Sequence, residues 1–221
     1  AEELVKQLGK NGVLGEVIVD LVWSLATELD DFFDNNSPKR RLIRGLLDHD
    51  FLNRMVGYDE AKYYYQELEK VLAPDFNYWL HRGSLELEHG NLVGAERFLN
   101  QARGINQRDQ NTLTEYAYLL LLKALDNPSG PDAVSFVQEA EAILRKNIAT
   151  RGDRDPHSYH ILVGNMMQWV KTRSMRPSEE KSTLHGLRTT LEDGRRRHPK
   201  NAHLAKLSQQ LEEELRTRWI R

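Results

Sequence analysis

The sequence predicts an all-α protein in which pairs of helices stack side by side, and three features predict it. Small residues recur at a fixed interval: Ala61 and Ala95 stand 34 positions apart, and so do Gly83 and Ala117. Such an interval, with small side chains at fixed offsets, marks a two-helix repeat in which neighbouring backbones nearly touch. Apolar residues fall at the helical spacing of about 3.6 residues, and no segment alternates as a strand does. Gly, Pro and Asn then cut these runs into helix-sized pieces.

Val17, Ile18, Leu21, Val22, Leu25 and Leu29 make a first helix between Val13 and Phe33, closed by the polar stretch Asp30 to Asn36. Ser37 and Pro38 open the next, since Ser caps free amides and Pro at the first position loses no bond. Leu42, Ile43, Leu46, Leu47, Phe51 and Leu52 carry that helix to about Val56. Gly57 ends it; the following helix starts near Glu60 and reaches Val71 or Leu72 before Pro74. Helices are expected from Phe76 to Glu88, and from Leu92 to Gly104 after a turn at Gly90 and Asn91. Another runs from Asn111 to Leu125, and the Asn127–Pro131 break separates it from a helix over Asp132 to Thr150. Asp155 and Pro156 start a helix ending near Arg173; Pro177 and Ser178 start one ending at His198. Asn201 to Trp219 closes the chain with Leu204, Leu207, Leu211 and Leu215 on one stripe. Some ten or eleven helices are expected.

With 39% hydrophobic and 29% charged residues, the 221-residue chain has enough apolar material for a core and is too polar for a membrane protein. No apolar run approaches the roughly 20 residues that span a bilayer. Lys and Arg number 31 against 33 Asp and Glu, so the net charge of −2 disfavours nucleic acid as a partner. The absence of cysteine excludes disulfides, thiolate metal sites and cysteine nucleophiles, and fits a reducing, cytoplasmic location. The chain begins at Ala1 without Met or a signal pattern, and reads as part of a longer protein.

Candidate chemistry is sparse. His157 and His160 are three apart on a helix, but a metal site needs a third ligand and the spacing offers none, so they read as surface or packing residues. Lys39, Arg40, Arg41 and Arg44 form one basic run, and Arg195, Arg196, Arg197, His198 and Lys200 another. The second sits at a helix C-terminus, where cations meet the negative end of the dipole. Gly9, Gly12 and Gly15 lack the Lys and the preceding strand of a phosphate loop. Ser24, Ser84 and Ser135 lack the flanking glycines of a nucleophile elbow. No catalytic residue, metal or cofactor is expected.

Trp79, Gly83, Gly90, Ala95, Leu99 and Ala102 have the spacing of the tetratricopeptide repeat, which the chain resembles over residues 42–199. Ala61, Tyr65 and Leu68 fill second-helix positions upstream; Leu113, Ala117 and Leu120 fill first-helix positions downstream. Ala133, Val137 and Ala140, and later Leu187, Leu191 and Gly194, again show second-helix spacing, with Gly164 as a small position between them. Gln107 replaces the family's terminal proline in the best-matched unit. The resemblance implies a right-handed α-solenoid that binds a protein or peptide on its concave face. Residues 1–36 would lead in from an upstream region, 37–199 would form the array, and 200–221 would be a capping helix. Aligning Phe76 with Gln110 places Asn77, Leu80, Ser84, Glu88, Asn111, Thr114 and Tyr118 on the exposed inner face, with His81 and Arg82 close by. This polar and aromatic set suits an extended or helical peptide.

More loosely, Gly57 through Trp79-Leu80-His81-Arg82-Gly83-Ser84 to Thr114-Glu115-Tyr116-Ala117-Tyr118 is similar to C-terminal repeat regions of prokaryotic STAND-class NTPases. That resemblance implies an N-terminal effector, a central nucleotide switch and a C-terminal sensor of an invader's protein, in several members for defence against phage. The expected function is non-catalytic recognition as the sensor or scaffold of a larger protein. The alternatives are a regulatory region of such an NTPase, or a self-association module.

Overall fold

A computed structural model describes residues 17, 45, 47–152, 154–173 and 175–219. The described residues form nine α-helices and no strand: α1 (His49–Val56), α2 (Tyr58–Leu72), α3 (Phe76–Glu88), α4 (Leu92–Ile105), α5 (Gln110–Asp126), α6 (Ala133–Arg151), α7 (His157–Thr172), α8 (Pro177–Arg197) and α9 (Ala202–Trp219). None of them is long and apolar enough to cross a membrane. The protein is all-α, as the periodicity predicts. The helix expected over Val13–Phe33, the 1–36 segment, the Ser37–Pro38 start and the Lys39–Arg44 run lie outside the described residues.

One boundary differs from expectation. The helix expected to continue unbroken to Val56 is interrupted at Leu47 and Asp48. Asp48 has ψ 124°, outside the helical range, and its Oδ1 accepts the Phe51 amide at 3.0 Å. An aspartate that caps a new helix competes with continuation of the old one, and here the cap wins. Gly57, at φ +83°, ends α1 and starts α2 in a conformation that favours glycine.

The chain divides into two compact units, Ala1–Glu115 and Tyr116–Arg221, with the boundary inside α5. In the first, α1 packs on α2 and α3, α2 on α3, and α3 on α4. Asp75 caps α3 by accepting the Asn77 amide at 3.0 Å. Gly90 (φ +71°) makes the turn, and Asn91 Oδ1 caps α4 by accepting the Gly94 amide at 3.1 Å. At Gly83 α3 approaches α4 so closely that a Cβ would lie 2.7 Å from Leu99 Cγ and 3.3 Å from its backbone nitrogen. Ala61, Ala95, Leu99 and Ala102 are fully buried, so the small positions of the 34-residue interval do lie at helix contacts. Trp79 stacks on Phe98 across the α3–α4 seam, with centroids 5.8 Å apart, and donates Nε1–H to the Ala73 carbonyl at 2.7 Å. Tyr78 and Tyr65 bury their rings and donate their hydroxyls to the Tyr65 and Leu47 carbonyls, each at 2.5 Å.

In the second unit α6 packs on α7, α7 on α8 and α9, and α8 on α9. The core includes Leu120, Leu144, Leu162, Met166, Trp169, Leu187 and Leu191, with Leu204 and Leu211 added from α9. Tyr159, wholly buried, lies against both Gly194 and Gly152, and its hydroxyl donates to Asp193 Oδ2 at 2.7 Å. That bond first, with those from Arg196 and Arg197, holds the Asp193 carboxyl down at about 2 against the opposing effect of burial. A carboxyl depressed on folding adds stability above its unfolded value near 3.8, and that contribution is lost as pH falls toward 2. Tyr159→Phe is therefore expected to flatten the acid side of the stability curve between those limits, in urea melts taken at stepped pH. An unchanged acid limb would show that the bond to Tyr159 does not hold the carboxyl down.

Candidate functional site

The polar side chains of the first unit gather along the seam where α1 lies on α3. The break at Asp48 sets Asp48 and His49 at the head of α1, opposite His81 in the middle of α3. His49 Nδ1 and His81 Nδ1 are 3.2 Å apart, and Asp48 Oδ2 is 3.8 Å from His81 Nδ1. His49 Nε2 lies 3.3 Å from Glu88 Oε1. Asn53 continues the seam, donating to Glu88 Oε2 at 3.2 Å and meeting His89 Nε2 at 3.1 Å through its amide oxygen. Beyond it Tyr58 stacks on His89, with centroids 4.1 Å apart, and donates to Glu86 Oε2 at 2.7 Å. The buried Glu86 accepts a second bond at the same oxygen, from Asn91 Nδ2 at 2.6 Å.

The contact between the two Nδ1 atoms is a hydrogen bond when one ring carries its proton there and the other a lone pair. Burial, and secondarily the nearness of His49, pushes His81 down to about 4, while Asp48, Glu115 and Asp75 pull weakly the other way. His81 is therefore neutral at neutral pH. Tyr58 is raised, first by burial and then by its bond to Glu86.

The residues expected on the inner face scatter. Leu80, Ser84 and Thr114 are buried rather than exposed; Thr114 Oγ1 donates to the Gln110 carbonyl at 2.9 Å. Spacing along a helix does not say which edge of such a stripe is buried. Asn77 is half-buried and bonded to its own cap, Asp75. His81 and Glu88 face α1 through His49, and Glu88 remains exposed. Arg82 is buried among aromatic rings. Asn111 is exposed on α5. Tyr118, in the second unit, is half-buried against that unit's core. Asp48, His49 and Asn53 escape sequence reasoning, although one signal is present: His49 and His81 are 32 apart, close to the 34-residue interval, and they fall on α1 and α3, which pack together.

Other candidates resolve as structural. His160 bonds Asn201 Oδ1 at 3.1 Å and tilts against His203, while His157 is exposed. In the basic run ending α8, Arg196 and Arg197 pair with Asp193 at 2.5 and 2.9 Å, and Arg195 reaches Ser208 at 3.2 Å. Comparison with protein-family models, with curated proteins and with solved structures found no match to the chain.

Proposed function

We propose that the chain is a non-catalytic protein-recognition module, the sensor or scaffold part of a larger cytoplasmic protein. In this reading its helix pairs form a right-handed solenoid of the tetratricopeptide kind, with α9 as the cap. The order of packing carries the reading. In the first unit α1, α2, α3 and α4 each pack on the next, and in the second α6, α7, α8 and α9 do; α1 also packs on α3, and α7 on α9. Stacked two-helix repeats require that order, because each pair buries its remaining apolar face on its neighbour. The contact of Gly83 with Leu99 supports it, being the close approach such pairs need. A solenoid presents a long surface of first helices, which suits a peptide or a protein edge better than a small reactant. In the sensor version the partner is a foreign protein, and any nucleotide-driven step belongs to other parts of the parent.

Selection of displayed peptides on the immobilised chain tests this. Enriched peptides are expected, and Glu88→Arg or Tyr118→Ala should weaken them at least tenfold, about 1.4 kcal/mol, with the helical circular dichroism unchanged. Peptides that bind both variants as well as the parent chain overturn the choice of face. If no peptide is enriched, the recognition reading falls.

A further inference from the structure

We propose that Asp48, His49 and His81 form a binding site for a divalent transition-metal ion of the zinc class. This site stands independently of the recognition reading. One ligand atom from each of the three residues lies within 4.8 Å of the other two. A tetrahedral ion with bonds of about 2.0–2.1 Å sets its ligand atoms roughly 3.3 Å apart; the two Nδ1 atoms are already at 3.2 Å. Asp48 Oδ2, 3.8 Å from His81 Nδ1, needs only a small closing movement. Its side chain is 41% exposed and can make that movement, while Oδ1 stays on the Phe51 amide.

The surroundings favour coordination over two histidines merely in contact. Glu88 Oε1 stands 3.3 Å from His49 Nε2, while Nδ1 of the same ring faces the cluster. A ligating histidine whose other nitrogen is held by a carboxylate is the usual support of a metal site, and Asn53 holds that carboxylate in turn. Binding requires both rings to carry their proton on Nε2, so that each Nδ1 offers its lone pair to the ion. Two imidazoles and one carboxylate suit zinc, cobalt or nickel rather than calcium or magnesium, which take oxygen ligands. Three protein ligands leave the fourth position to water. The ion would join the head of α1 to the middle of α3.

The tag-free chain, stripped with a chelator, is titrated with Co2+ and then Zn2+. One Co2+ per chain is expected, with visible d–d bands of tetrahedral intensity that Zn2+ bleaches, and a higher thermal midpoint in Zn2+. In ring 15N spectra of the parent chain, two of the eight histidines should move to metal-bound Nδ1 positions. Asp48→Asn keeps the cap, since Asn accepts the Phe51 amide equally well, and should weaken binding at least tenfold. His49→Gln should abolish the one-to-one site, and Glu88→Gln should weaken it by about 10- to 100-fold. The absence of a saturable site of unit stoichiometry in the parent chain overturns the proposal. So does a Zn2+ response confined to His157, His160 or His203, or unchanged binding in His49→Gln.

Discussion

Arg82→Ala is expected to lower the stability of the first unit by about 3 kcal/mol, read as a shift of the urea midpoint without loss of two-state behaviour. The side chain is only 7% exposed. Its Nη1 donates to Glu69 Oε2 on α2 at 2.5 Å and to the Tyr78 hydroxyl at 2.9 Å. The guanidinium lies 4.0 Å from the Phe98 ring centroid on α4 and 5.7 Å from that of Trp79. One residue thus joins three helices, and alanine removes its packing, its charge-assisted bonds and its ring contacts together. Glu69 is 40% exposed and regains water, so the carboxylate left behind adds little. Arg82→Lys should recover less than half of the loss, because an ammonium cannot lie flat on the rings. Arg82→Met should recover more, since it fills the same slot. A loss below about 0.5 kcal/mol for alanine, the range of ordinary surface changes, would show that the slot closes without the side chain.

Gly194→Val should cost the second unit about 3 kcal/mol. A Cβ at Gly194 would stand 2.9 Å from Tyr159 Cδ1 and 3.1 Å from Cγ, so the obstacle is the near side of a ring rather than the tip of a flexible chain. The ring has no retreat. A Cβ on Gly152 would lie 2.7 Å from the Tyr159 hydroxyl oxygen, and the hydroxyl is tied to Asp193. Overpacking of this kind costs about 1–3 kcal/mol, and a β-branched side chain adds bulk that valine's helix propensity, worth roughly 0.3 kcal/mol over glycine, does not offset. Gly186 on the same helix is the control: a Cβ there meets nothing within 4 Å. Gly186→Ala should therefore stabilise by about 0.5–1 kcal/mol. Thermal melts of the two variants should move in opposite directions. A melt of Gly194→Val that moves with that of Gly186→Ala would mean the tyrosine is not wedged there.

How far the sequence told this depends on whether a feature is local. α3 is read from Phe76 to Glu88 because Pro74 stops the helix before it and Gly90 turns the chain after it, both visible in the string itself. Gly83 and Gly194 stand out as small positions, since only glycine allows the approaches they make. Their neighbours Leu99 and Tyr159 come from other helices, and no spacing rule names them both. The break at Asp48 is hidden because Leu46, Leu47, Phe51 and Leu52 keep helical spacing across it. The histidine pair is hidden for the same reason as the ring contacts: it exists only once α1 lies on α3. The inner-face residues were chosen by position along a helix, and Leu80, Ser84 and Thr114 show that position does not settle which way a helix is rolled.

Glu86 bears on any attempt to exchange helices in the first unit. Its carboxylate is shared by Tyr58 from the helix before and by Asn91 from the loop after. A helix grafted in place of α4 without an amide at position 91 would leave one donor fewer for a group sealed from solvent. Swapping α2 without a phenol at 58 would do the same from the other side. Modular exchange in this chain therefore has to transplant Tyr58, Glu86 and Asn91 as a set, or convert all three to apolar residues at once.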